Sequence, residues 1–477
     1  MDNKVTQVNN YQCKNVKNQY IAAVAANIIF LGHGSMNGWL SPALPLLLSE
    51  STPLKTGVLT NEMLSWLGSI SALAGLLGTF MFGFIITYLG CKRSMLLLSI
   101  PCLSFWALVF FGDTYYHLLL ARFFNGITGG GIQSSMVLYI SEIANNNIRG
   151  RLNSISHMSR NIGILGGYIL GAILQYKTIP CVFAFVPIVF SVWFYYLPNT
   201  PQFYLQKSQL KRAEDSLKFY KGLTENNVNE AVAFNAEFER LKSIAKDRKM
   251  DEKTPLNDIF EKHALKGIMN GIILSSLAHL SGFLVFITYA AHIFEQVGAS
   301  QVDPYISSIA IAVVQLIGTL CTTRFSDSMG RKALLIISLL GSAFGHLSFA
   351  SYSYLSHNGY ELSAFEWVPV VSLSFVIFIA SSGVVPLMFL CMAENLPSKV
   401  RTIGVTVCNV FMNLVSFACL KLFPVLMATR IGLHGCMIIL ATFCICGSLY
   451  VHFVVKETKG ISMDSIGSNG KKNIENS

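Results

Sequence analysis

The sequence predicts an all-α membrane protein. Its twelve transmembrane helices form two pseudo-symmetric six-helix halves, joined by a cytoplasmic helical insert. Three observations carry this reading. First, of 477 residues 52% are hydrophobic and 13% charged, whereas soluble domains run near ~25% charged. Second, apolar stretches of the ~20 residues that cross a bilayer recur from end to end. Third, one charged phrase is written twice. Glu142 is followed by Arg149, and Glu394 by Arg401, each pair just past a long apolar segment. An upstream companion, Gly90-Cys91-Lys92-Arg93, returns as Gly330-Arg331-Lys332 behind Asp327. In a chain so poor in charge, that repetition implies one ancestral unit used twice.

The elements follow in order. A polar tail, 1–20, shows no small-residue cleavage pattern before the first span, 21–47, which therefore reads as a retained helix and not a signal peptide. Spans 64–89, 94–112, 116–140, 154–176 and 180–197 complete the first half, 21–197. Their internal Gly and Pro are tolerated because neighbouring helices satisfy the freed backbone groups. The polar insert 198–262 begins with Thr200 as a cap and Pro201 at the first helical position. Leu205, Ala213, Leu217 and Tyr220 are spaced as the apolar face of amphipathic helices, predicting a helical bundle under the cytoplasmic mouth of the membrane region. The second half, 263–455, holds spans 266–293, 304–323, 333–354, 367–392, 402–426 and 432–455, and a short polar tail, 456–477, ends the chain.

Lys and Arg set the orientation. Lys14, Lys17, Lys92, Arg93, Arg149, Arg151, Arg324, Arg331, Lys332, Lys399, Arg401, Lys456 and Lys459 fall on one side of the map, against Lys55, Lys177, Lys421 and Arg430 on the other. The rich side, with both termini, is expected to be cytoplasmic. The net charge of +10 is thus a topology signal and not a nucleic-acid footprint. The 11 cysteines make no metal array, and Cys444 and Cys446 read as lipid-facing packing. No nucleophile–base constellation, phosphate loop or metal cluster argues for an enzyme, and no cofactor or obligate protein partner is implied.

Several motifs in register resemble the sugar porter branch of the major facilitator superfamily, most of all the insect facilitated trehalose transporter-like proteins. They are Arg122 to Gly126 opening span four; Glu142 with Arg149-Gly150-Arg151; Arg324 to Lys332; Ala393-Glu394 to Arg401; Glu457-Thr458-Lys459-Gly460; and Gly38-Trp39 to Pro45. The resemblance covers about 20–460 and implies a plasma-membrane carrier of a small sugar. It also implies a cytoplasmic latch formed by Glu142, Arg149 and Arg151 in the first half and Asp327, Arg331, Glu394 and Arg401 in the second. Such pairs, formed in one state and broken in the other, are what alternating access needs. The first half departs from the pattern. Thr87 stands where the family has an acid, Cys91 where it has Arg, and Asn199 and Gln202 replace charges after span six. An asymmetric latch that biases the carrier inward is expected.

A sugar site needs amides, hydroxyls and aromatic faces. The resemblance implies Gln315 in span eight and Asn409 and Asn413 in span eleven as substrate contacts, the last two being i, i+4 neighbours. It places His157 and His279 where glutamines are common, and Phe389 where Trp is usual, beside Pro386. Ala278 and Leu284 replace polar family residues. Proton-driven relatives carry an acid in span one facing the span-four Arg. Here His33 is the only ionisable group within that span, so Arg122 lacks such a partner. The expectation is facilitative uniport of trehalose or a hexose. The alternatives are a transport-deficient sugar sensor, a carrier of a different neutral solute, or a proton-coupled symporter working through His33.

Overall fold

A computed structural model describes residues 16–221, 234–243, 262–297, 303–394, 401–455 and 457, and it contains helices without strands among them. The helices of the first half are α1 (Lys17–Leu47), α2 (Asn61–Leu97), α3 (Ser99–Phe111), α4 (Tyr115–Ile143), α5 (Asn146–Ile173) and α6 (Thr178–Tyr195). The insert contributes α7 (Pro201–Gln206), α8 (Leu210–Lys221) and a helical stretch at 234–243. The second half holds α9 (Lys262–Leu280), α10 (Phe283–Val297), α11 (Pro304–Met329), α12 (Arg331–His357), α13 (Val368–Ser382), α14 (Val384–Glu394), α15 (Arg401–Met427) and α16 (Gly432–Val454).

Eight described helical runs are long and apolar enough to cross a membrane. One of them, Asn61–Phe111, is 51 residues long and holds two spans, because Gly90 turns the chain at φ +77°. Helices α1, α4 and α5, diluted by Gly, Asn and Ser, complete the twelve. The seventh and tenth spans are each broken in mid-membrane. Gly282, at φ +81°, separates α9 from α10, and Gly383 separates α13 from α14. Exposed Phe84, Phe111, Phe185, Phe344 and Phe453 form part of the lipid-facing belt.

Small residues let helices touch backbone to backbone, the usual means of association where lipid removes the hydrophobic drive. A Cβ on Gly34 of α1 would lie 2.1 Å from the Arg160 carbonyl oxygen of α5, and one on Gly163 would lie 2.2 Å from that of Leu31. This close approach fixes the rotation of α5 and thereby the residues it aims inward.

The duplicated loops receive a local explanation. Gly90 and Gly330 both take positive φ at the same place in each half. Two residues later, Lys92 donates to the Tyr195 carbonyl (2.8 Å) and to that of Leu197 at the end of α6, while Lys332 donates to the His452 carbonyl (2.6 Å) at the end of α16. Each lysine therefore neutralises the negative end of its half's last helix. The halves differ one step on. Glu457 accepts from the backbone amides of Arg331 and Lys332, each at 3.1 Å, capping α12. In the first half Asn199 donates instead to the Tyr204 hydroxyl (3.1 Å).

The insert has its own core of Leu205, Ala213, Leu217, Phe234, Phe238 and Leu241. It docks on the first half. Asn18 donates to the Phe219 carbonyl (2.7 Å), and the Tyr220 hydroxyl donates to the Pro198 carbonyl (2.7 Å) and lies 3.3 Å from that of Tyr139. Pro201 opens α7 as expected, but the Thr200 hydroxyl makes no cap bond. The cysteine expectation is half corrected. Cys446 is exposed, whereas Cys444 is buried, because residues two apart on a helix lie ~200° apart.

Candidate transport site

The face of the bundle bearing the start of α1, the end of α16 and the insert is termed here the insert face, and the other the far face. At the far face the two halves are tied together. The Lys421 ammonium on α15 donates to the Ser65 hydroxyl of α2 (2.8 Å) and sits 4.1 Å from the Trp66 ring centroid. Trp66 in turn meets Phe417, centroids 6.0 Å apart. Half-helix α10 is gripped at one turn by two side chains of the first half. The Tyr168 hydroxyl donates to the Ile287 carbonyl (2.5 Å), and the Ala291 amide donates to the Ser41 hydroxyl (3.1 Å). The Tyr289 hydroxyl donates to the Leu420 carbonyl (2.9 Å) and fills the space a Cβ on Gly68 would need, 1.8 Å away. The far face is closed.

At mid-membrane, amides bridge the halves. Gln315 of α11 donates to the Asn161 side-chain oxygen (2.9 Å), and Asn161 of α5 donates to the Thr319 hydroxyl (2.7 Å). Gln133 of α4 donates to the Asn409 side-chain oxygen (3.3 Å), and Asn413 donates to the Asn409 backbone carbonyl (2.9 Å). A cavity of about 60 Å³ opens beside the first set, lined by Ser154, His157, Arg160, Asn161, Phe283, Thr319, Thr322, Ser381, Val385 and Pro386. The first four share one face of α5, and both broken spans contribute from the first residues after their breaks. Two six-helix halves, clamped on one face and joined at mid-membrane by a polar seam round a cavity, form an alternating-access body.

The model of the sugar (and other) transporter family matches residues 5–469. The chain belongs to that family. This transporter is 29% identical to the facilitated trehalose transporter of Bombyx mori over 461 residues, 96% of this chain and 88% of the relative. It is also 29% identical to the corresponding protein of Polypedilum vanderplanki, over 94% of this chain and 87% of the relative. The inward-open structure of the E. coli xylose transporter superposes with TM-score 0.75 at 18% identity, covering 94% of this chain and 99% of that one. The same xylose transporter with bound 6-bromo-6-deoxy-D-glucose, named as a major facilitator superfamily protein, gives 0.72 at 18% identity, over 95% and 99%. The fold is that of the superfamily.

In this transporter the sequence-derived contacts divide. His157 lines the cavity, and Gln315 and Asn409 sit in the seam bonded to first-half amides. Asn413 reaches Gly75, its oxygen 3.1 Å from where a Cβ would be. His279 engages its own helix at the Ser275 carbonyl (3.1 Å), and the Phe389 side chain lies outside the described residues. Of the residues expected to form a latch, Arg149 donates to the Ser141 carbonyl (3.0 Å) in the field of Glu237 and Arg240 from the insert, and Arg151 is exposed. Glu142 lies close to both Tyr139 and Tyr220, and Arg331 opens α12. Asp327, Glu394 and Arg401 occupy helix ends, and their side chains lie outside the described residues.

His33 is held by Asn37, side-chain nitrogens 3.1 Å apart, and Asn125 donates to the Asn37 oxygen (3.1 Å). Arg122 takes carbonyls in place of an acid. It donates to those of Leu67 (3.0 Å) and Gly68 (3.4 Å) and to the Ser71 hydroxyl (3.1 Å). Sequence reasoning missed Gln133, Arg160 and Asn161. The signal was present, since Arg160 is an ionisable side chain in mid-span and Asn161 lies one turn from His157.

Proposed function

We propose that the chain is a facilitative carrier, a uniporter, moving a sugar such as trehalose or a hexose across the plasma membrane with both termini cytoplasmic. The observation that carries this is the seam of Gln133, Asn161, Gln315, Thr319 and Asn409, where each half offers amides to the other at cavity level. Amides donate and accept at once, as sugar hydroxyls do, so a solute can replace the inter-half bonds it breaks. The cavity has room for a few waters only. Solute therefore enters when the halves part on the insert face while the far face stays closed. The positive-rich insert face then faces the cytoplasm, and Glu142, Arg149, Arg151, Asp327, Arg331, Glu394 and Arg401 close it in the opposite state.

Relatives named facilitated trehalose transporters support uniport, as does the placement of acidic residues within the described membrane helices, all in terminal turns. Uptake of labelled trehalose, glucose and fructose by cells expressing the chain tests the proposal. Saturable uptake, lost in Asn409→Ala and not driven by a pH gradient alone, supports it. Binding without flux would reassign the chain as a sensor, and accumulation on a pH gradient would reassign it as a symporter.

A further inference from the structure

Arg160 is the unexplained charge of this molecule. It lies in the middle of α5 and lines the central cavity. Its Nε is buried with no hydrogen-bond partner, and among the described residues no ion pair or hydrogen bond engages the side chain. Arg122 shows the contrast, since a structural arginine in this bundle takes carbonyls and a hydroxyl from the adjacent helix. A cation in mid-membrane is costly and is usually kept for a partner.

The surroundings offer no negative charge among the described residues. Three histidines, His33, His157 and His279, from α1, α5 and α9, lie within its electrostatic reach. Every acidic residue within a described membrane helix sits in a terminal turn: Glu62, Glu142, Glu295, Asp327 and Glu394. The cavity is also bordered by Phe283 and Val385, in the first turns of α10 and α14, and by Ser381, in the last turn of α13; the abutting helix ends offset one another, so Arg160 is the full charge at this level. The remaining lining is hydroxyl and amide: Ser154, Asn161, Thr319, Thr322 and Ser381.

We propose that the cavity takes an anionic, hydroxylated solute, a sugar acid or a sugar phosphate, whose negative group docks on the Arg160 guanidinium. This deepens the carrier reading and rests on its alternating-access body, while replacing the neutral sugar by a charged one. The solute's oxygens accept from the guanidinium as a fork, and its hydroxyls exchange with the Asn161–Gln315–Thr319 seam. Because Arg160 stays with the protein, each uniport cycle moves the solute's charge, and a membrane potential drives net flux.

The test uses the purified full chain in proteoliposomes. Counterflow is measured with labelled D-glucuronate, glucose 6-phosphate, trehalose and glucose, with and without a valinomycin-set potassium potential. The expected result is saturable exchange of glucuronate, glucose 6-phosphate or both, and net uptake of the same anion into unloaded vesicles that an interior-positive potential accelerates. Arg160→Gln weakens apparent affinity for the anion on the order of 10–100-fold, and Arg160→Lys retains part of it. Which anion exchanges separates carboxylate from phosphate. Exchange of trehalose or glucose with neither anion competing, and unchanged in Arg160→Gln, overturns the inference while leaving the carrier reading intact. Exchange of anions alone upholds it and removes the neutral substrate. No exchange or binding of any of the four sinks both. Arg160→Lys and size-exclusion profiles separate a lost site from a lost fold.

Discussion

Lys421→Ala should release the far face. Lys421 joins the halves through two contacts, the 2.8 Å bond to Ser65 and the ammonium placed 4.1 Å from the Trp66 centroid. A charge-assisted hydrogen bond contributes ~1.5–3 kcal/mol when dry, and a cation–π contact about 0.5–1 kcal/mol at an exposed site. The lysine is only half-buried, so the lower end applies and the pair is worth roughly 1–2 kcal/mol. Both contacts vanish when the halves separate there, and the loss therefore acts on the conformational equilibrium. About 1–2 kcal/mol multiplies the far-open population roughly 5–30-fold. Spin labels at Ser51→Cys and Glu361→Cys, on far-face loops of opposite halves, report that opening by pulsed electron–electron resonance. Cys181 and Cys446, the exposed native thiols among the described residues, are first replaced by Ser, together with Cys13. Lys421→Ala should add a longer-distance population that Lys421→Arg does not. An unchanged distance distribution in Lys421→Ala would refute the assignment of Lys421 as a latch.

Three further outcomes are expected. Gly68→Val places methyl groups where the Tyr289 hydroxyl sits, held by the Leu420 carbonyl, so the same labels should show a far-open bias larger than that of Lys421→Ala. Glu457→Ala removes the cap on the Arg331 and Lys332 amides and should lower stability by ~1 kcal/mol, with Glu457→Gln losing less, read as the thermal midpoint of detergent-purified protein. Asp113, in a far-face loop, is held below its usual carboxylate range by its bond to Lys55, which in turn is raised. The stability this depressed acid adds is complete above the ordinary carboxylate range and is lost as pH falls through its lowered value. Asp113→Asn should flatten the acid limb of the stability–pH curve, and an unaltered limb would exclude the pair as a contributor.

Much of the architecture was legible because its causes are local or periodic. Span length, the repeated Gly-x-Lys turn and the amphipathic spacing of Leu205, Ala213, Leu217 and Tyr220 are properties of the chain alone, and each has its counterpart in the folded molecule. The breaks of the seventh and tenth spans were less legible, since glycine is common in membrane helices and only packing shows that Gly282 and Gly383 end one. The site was legible in part. Gln315 and Asn409 were identifiable as costly polar groups in apolar spans, but their partners Asn161 and Gln133 belong to the other half, more than a hundred residues away.

The lysines of the sparse far side show the same division. Sequence alone made Lys55, Lys177 and Lys421 exceptions to a topology rule. In the folded molecule each is engaged. Lys55 forms an ion pair with Asp113, Lys177 donates to the Phe110 (2.6 Å) and Gly112 (2.8 Å) carbonyls at the end of α3, and Lys421 bonds to Ser65. The sequence by itself determined that this is a twelve-span, duplicated carrier with few internal charges, because hydropathy and repetition are written along the chain. Only the tertiary structure decided which of those charges are answered. Arg122 meets carbonyls of α2, whereas Arg160 meets a cavity. Whether a buried cation has a partner depends on which helices are folded against it, and no spacing along a single strand of sequence records that.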